Sequence, residues 1–216
     1  MPPVEIDGNP ITGATIDGTD VQEITVDGDV VFSAGPPANI IDNFEDGDLT
    51  PLDSDWGNWV NGTNVSTNDL GGTRAYRAFA PGGTFVDHES VTSNPIQPSQ
   101  LSMLVRFIQD SGTGQDRWDL FWGSASNDRF IGTNWNLQSN GPFNFSLNET
   151  YRDTFQLDYT NNTTTQEITR VSDGTIVFTE TKSKTLEPIT KLFFRIDANS
   201  SGSSMEAYID EPSYVL

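Results

Sequence analysis

The sequence predicts an all-β protein, two antiparallel sheets packed face to face with a small β-hairpin unit in front, and three observations carry the prediction. From Asn39 onward, short runs of alternating apolar and polar residues recur between Gly- and Asn-rich turn signals. Thr154-Phe155-Gln156-Leu157-Asp158-Tyr159 and Lys191-Leu192-Phe193-Phe194-Arg195-Ile196 are examples. No window repeats its apolar residues at the helical spacing. The front of the chain echoes itself as Ile6-Asp7-Gly8, Ile16-Asp17-Gly18 and Val26-Asp27-Gly28, and Asp-Gly readily enters the left-handed turn conformations that close hairpins.

Residues 1–34 therefore read as three or four short strands. They hold seven acids, no base and few large side chains, so they bury too little to stand alone and are expected to dock on a partner. Residues 35–39, with Pro36 and Pro37, read as a stiff linker. Residues 40–216 form the expected sandwich, with strands at 73–80, 101–109, 116–123, 129–136, 151–160, 165–171, 175–183, 191–198 and 204–210. Within it Trp118, Leu120 and Trp122 share one strand face and read as core, while Arg117, Asp119 and Phe121 share the other.

Composition narrows the function classes. Thirty-one acidic residues against eleven basic ones leave a net charge of -20, and the only lysines are Lys182, Lys184 and Lys191. At low salt such self-repulsion opposes the compact state, whereas at molar salt the screening length falls to about 3 Å. The expectation is a halophile's protein. The sign of the charge excludes a phosphate-backbone binder, so no nucleic acid partner is expected. Cysteine is absent, which removes disulfides, thiolate metal sites and a thiol nucleophile. Met1 to Asp7 lack the basic and apolar regions of a leader, and no apolar run is long enough to span a bilayer. Synthesis in the cytoplasm without membrane insertion is therefore expected.

Three places carry a resemblance to the concanavalin A-like lectin and glucanase jelly rolls and the related carbohydrate-binding modules. They are Ile41-Asp42-Asn43-Phe44-Glu45-Asp46-Gly47-Asp48 with Trp56 and Trp59, Tyr151 to Tyr159 leading on to Val171 to Phe178, and Leu192 to Asp197 followed by Ala207-Tyr208-Ile209-Asp210-Glu211. Ile16 to Phe32 is similar to the short N-terminal segments of tail-fibre and baseplate proteins of tailed viruses. Joined to the acidic composition, the chain resembles a virion protein of a tailed virus of haloarchaea.

The resemblance implies a virion surface protein, a tail fibre or receptor-binding component that recognises a host cell-surface glycan or glycoprotein. Residues 1–34 would grip other virion proteins, and the whole would be a homo-oligomer. A capsid turret or decoration protein and a cellular carbohydrate-binding module are the alternatives. Glucanases of this type carry an E-x-D-x-x-E strand, which is missing here, and Glu206, Asp210 and Glu211 do not reproduce its spacing; no enzyme is expected.

Flat aromatic faces beside planar polar groups suit sugars, so the candidate ligand residues are Trp56, Trp59, Asn134 and Trp135, with Arg129 as an addition. His88, between Asp87 and Glu89, reads as an exposed loop histidine. In the resembled binding modules a structural calcium often joins the two ends of the domain. The acids Asp42, Glu45, Asp46 and Asp48 with Asp210 supply hard oxygens, of which Glu45, Asp46 and Asp210 are the expected ligands.

Overall fold

The computed structural model describes residues 5–6, 9–10, 15–16, 19–20, 23–26, 29–33, 38–46, 48–59, 64–66, 70, 74–110, 117–128, 130–135, 145–198 and 204–216. It describes side chains from residue 38 onward within that set, apart from those of 64–66, 109–110, 117 and 133–135. None of the described residues is helical. The chain divides into two compact units, Met1–Ala38 and Asn39–Leu216.

Among its described residues the first unit holds three antiparallel pairs. These are β1 (Glu5–Ile6) with β2 (Asn9–Pro10), β3 (Thr15–Ile16) with β4 (Thr19–Asp20), and β5 (Glu23–Val26) with β6 (Asp29–Ser33). Each pair closes on facing residues that leave two sequence positions between them, Ile6 with Asn9, Ile16 with Thr19 and Val26 with Asp29.

The second unit holds β7 (Asn39–Ile40), β8 (Asn64–Ser66), β9 (Ala75–Ala80), β10 (Thr84–Ile96), β11 (Gln100–Asp110) and β12 (Arg117–Ser124). It continues with β13 (Ile131–Trp135), β14 (Thr150–Asp158), β15 (Thr163–Arg170), β16 (Ile176–Ser183), β17 (Ile189–Ala198) and β18 (Met205–Val215). One sheet runs β16-β15-β14-β11-β18-β9-β8, with β7 also paired to β18, and the other runs β10-β17-β12-β13. All these pairings are antiparallel.

Alternation explains the stacking. Leu101, Met103, Val105 and Phe107 of β11 and Tyr151, Phe155 and Leu157 of β14 are buried, as are Trp118, Leu120 and Trp122 of β12 and Leu192, Phe194 and Ile196 of β17. Each of the larger side chains contributes about 1.5–3 kcal/mol when taken out of water. Aromatic rings knit the layers, with Phe107 4.6 Å from Trp118 and Trp56 edge-on to Trp122 at 6.3 Å. The tryptophan stripe is core, as its spacing predicts.

Four strands differ from expectation: the short β7 and β8, which no alternating run announces, and two long ones. β10, thirteen residues long, falls where no strand was expected, because the residues it turns inward include His88, Ser90 and Thr92. Polar groups on the inner side erase the alternation that marks a strand. β18 continues past its expected end at 210 to Val215. Leu104 faces Asp210 but Ser102 faces Ser213, so an extra residue is accommodated near Glu211, whose φ is 48°. That bulge is where a proline can sit in an interior strand, and Pro212 uses its carbonyl to accept from Ile41 N at 2.8 Å.

Eleven bases cannot neutralise thirty-one acids, whatever ion pairs form. The thermal midpoint is therefore expected to fall when salt is lowered from molar to about 0.1 M, where the screening length grows to about 10 Å. A salt series followed by circular dichroism checks this, and an unchanged midpoint would refute it.

Candidate functional site

A cavity of about 400 Å³ opens where the edge strand β13 of the four-stranded sheet approaches the β14–β16 side of the larger sheet. Phe121, Phe130, Ile131 and Gly132 line it from one sheet, and Phe155, Thr164 and Gln166 from the other. Glu180, Lys182 and Lys184 complete the wall along and just beyond β16. Residues two apart on a strand share a face, so Thr164 and Gln166 both turn inward and are buried.

Behind this wall stands Asp153, fully buried on the inner side of β14. Its Oδ1 accepts from Gln166 Nε2 at 2.7 Å, while Oδ2 has no hydrogen-bond partner among the described residues. Burial pushes the Asp153 carboxyl up to about 7, against the smaller downward pull of the Gln166 amide. The pair fixes the Gln166 side chain at the cavity wall.

Lys184, just past the end of β16, reaches Phe130, just before β13: its ammonium donates to the Phe130 carbonyl and lies 4.3 Å from the centre of the Phe130 ring. Loss of water lowers its pKa. Lys182 pairs with Glu180 at 2.8 Å and remains largely exposed at the rim. Gly132 lets β13 lie close to β12, since a Cβ there would fall 2.0 Å from the Leu120 carbonyl oxygen and 2.6 Å from Phe121 Cα.

The outer face of the four-stranded sheet is the other aromatic surface. Arg195 forms a fork with Asp87, its Nη2 2.6 Å from Oδ2, and its guanidinium lies 4.9 Å from the Phe85 ring and 5.6 Å from that of Phe193. Phe85, though 61% exposed, thus already carries the arginine against its face.

Of the expected ligand residues only Trp56 and Trp59 have described side chains, and neither lines the cavity. Trp56 and Trp59 are only 4% and 5% exposed. Trp59 packs 5.0 Å from Tyr76 and 5.7 Å from Phe44, so neither tryptophan offers a flat face to a sugar. Their neighbours Asp55 and Asn58 suggested exposure, but sequence neighbours on a bent segment need not share an environment. Arg129 lies outside the described residues, as do the side chains of Asn134 and Trp135, whose backbones pair with Asp119 and Trp118.

His88 is fully buried, not exposed: it lies on the inner side of β10 with its Nδ1 2.5 Å from Tyr76 Oη.

The acids expected to share calcium are bonded within the fold. Asp42 accepts from Phe44 N at 2.8 Å and from Trp59 Nε1 at 3.2 Å, and burial lifts its pKa to about 6. Glu45 accepts from Arg74 N, Asp46 from Asp48 N and Asp210 from Glu211 N. Among the described residues no three carboxylate or imidazole groups are placed to hold a metal ion. Glu206 is held by Nε and Nη2 of Arg77 and by Tyr208 Oη, and Asp210 is buried.

No protein-family model matches the chain, and no curated protein matches it by sequence. Solved structures do match. Peanut lectin, crystallised with a nine-residue peptide, aligns with 85% of this chain and 99% of its own at a TM-score of 0.55 and 12% identity. The second unit has the concanavalin A-like jelly-roll fold. Winged bean acidic lectin, solved with methyl-α-D-galactose, aligns with 83% of this chain and 99% of its own at a TM-score of 0.52 and 8% identity. A GH131 β-glucanase catalytic domain from Podospora anserina follows at a TM-score of 0.48 and 11% identity, over 83% of this chain and 84% of its own. At these identities the likeness to the jelly rolls is one of fold.

The expected set missed Phe130, Gln166, Lys182 and Lys184. One signal pointed to the lysines: two of the chain's three stand two residues apart in Lys182-Ser183-Lys184.

Proposed function

We propose that the jelly roll binds a glycan and catalyses nothing. The carrying observation is the cavity of about 400 Å³, which combines the rings of Phe130 and Phe155 with a few placed polar groups, the composition of a small-ligand site. The lectin fold supports the same reading, since peanut and winged bean lectins share it. On the last strand Glu206 is committed to Arg77, Glu211 pairs with Arg152 and Asp210 is buried, which supports binding over hydrolysis.

The finer reading is a receptor-binding component on the outside of a tailed virus of haloarchaea, with residues 1–34 as the anchor and the glycan on the host surface. The sequence resemblance and the acidic composition support it. Copies repeated on a particle would gain avidity from weak single contacts.

An immobilised glycan array probed with the folded chain in molar salt tests the binding reading. Retention on a defined set of saccharides is expected, and retention on none would refute it. Deleting residues 1–34 is expected to leave saccharide binding intact while abolishing incorporation into particles.

A further inference from the structure

We infer that the cavity selects a saccharide bearing a negative charge, a uronic acid or a sulfate ester; the inference rests on the glycan-binding reading and names its ligand class. The observation is a local reversal of charge. Acids outnumber bases nearly three to one in the chain, yet the cavity is lined by two lysines and one glutamate, and those two are drawn from a total of three lysines.

Glu180 and Lys182 lie two residues apart on β16 and point to the same side, and Lys184, just past the strand's end, joins them in lining the cavity. Neutral hydroxyls are served by carboxylates and amides, which this chain has in abundance. Ammonium groups, three donors each and no acceptor, suit an anionic oxygen.

Lysines also protect sheet edges, and β16 is an edge strand. That role asks only for a hydrated charge. Lys184 instead reaches to Phe130, loses water and settles over its ring and against its carbonyl, which among the described residues leaves two of its three donors for other partners. Its position is that of a donor held at the cavity wall. Lys182, shared with Glu180 at the rim, can turn to an entering anion at small cost because both ends of that pair are solvated. The rings of Phe130 and Phe155 provide apolar wall for the face of the sugar.

The test is calorimetric titration of the full chain in the salt that keeps it folded. The probes are a tetragalacturonate, its neutral methyl ester, a sulfated galactan oligosaccharide and a short polyglutamate peptide. The expected result is binding of the galacturonate or the sulfated sugar about tenfold tighter than the ester, a preference removed by Lys182→Gln, which alters an exposed side chain and should not disturb the fold. Lys184→Gln is expected to remove it too, with folding checked by circular dichroism. The stronger of the two anionic arms identifies carboxylate or sulfate.

Equal binding of ester and acid, or a preference that survives Lys182→Gln, overturns the inference while glycan binding stands. Polyglutamate binding as tightly as the sugars overturns the saccharide class. If every saccharide here and on the array fails, the glycan reading falls as well.

Discussion

Asp153→Asn is expected to raise the thermal midpoint at pH 8 and to flatten its dependence on pH. The folded-state pKa of Asp153 is raised from 3.8 to about 7 because burial strips water from a carboxylate that receives one hydrogen bond, from Gln166. Between those values the folded chain holds a proton that the unfolded chain has lost. The group's stabilising share is therefore complete below about pH 4 and is lost as pH rises through 7.

A gap of about three pH units corresponds to roughly 4 kcal/mol, on the order of ten degrees in a unit of this size. Asp42, lifted to about 6, acts in the same direction. The parent chain should therefore gain stability as pH falls from 8 to 5, where many proteins begin to lose it. Acid also relieves the overall negative charge, so the difference between parent and Asp153→Asn isolates the buried group. Thermal melts of both from pH 5 to 8 measure it, and parallel curves would sink the assignment.

Gly132→Ala is expected to cost about 3 kcal/mol and to open the cavity wall. The new methyl would meet backbone, the Leu120 carbonyl oxygen and Phe121 Cα, and no rotamer change relieves a backbone clash. β13 would have to leave β12, taking with it Phe130, Ile131 and residue 132 from the cavity. Gly123→Ala is the matched control. Its methyl would press on the Lys191 side chain at 2.5 Å and on the Asp128 carbonyl oxygen at 3.0 Å, and the flexible lysine can move aside. Melts together with amide exchange along residues 131–135 distinguish the two; equal losses would refute the close-approach argument.

Where the inner face of a strand is apolar, the fold was legible from the residues alone. Phe155 and Leu157 of β14, Leu192, Phe194 and Ile196 of β17 and the Trp118-Leu120-Trp122 stripe mark their strands by simple alternation. β10 was hidden because His88, Ser90 and Thr92 point inward, and the end of β18 was hidden because Pro212 normally ends a strand. The site was less legible. Its residues come from β12–β13 and β14–β16, which meet only after both sheets have formed, and the contact between Asp153 and Gln166 is set by strand pairing. Trp56 and Trp59 misled because a tryptophan among polar neighbours reads as surface until the segment's path into the core is seen.

The placement of β18 constrains how the larger sheet is made. The strand formed by residues 205–215 lies between β11 and β9 and also receives β7. Until those residues leave the ribosome, β9 with β8 and the β11–β14–β15–β16 group are two separate ribbons with bare inner edges. Assembly must therefore wait for nearly the whole unit to be synthesised, and closure depends on contacts between distant parts of the chain, a slow topology. During that interval the nascent chain exposes open edges that could pair with its neighbours, and its own negative charge holds those neighbours apart.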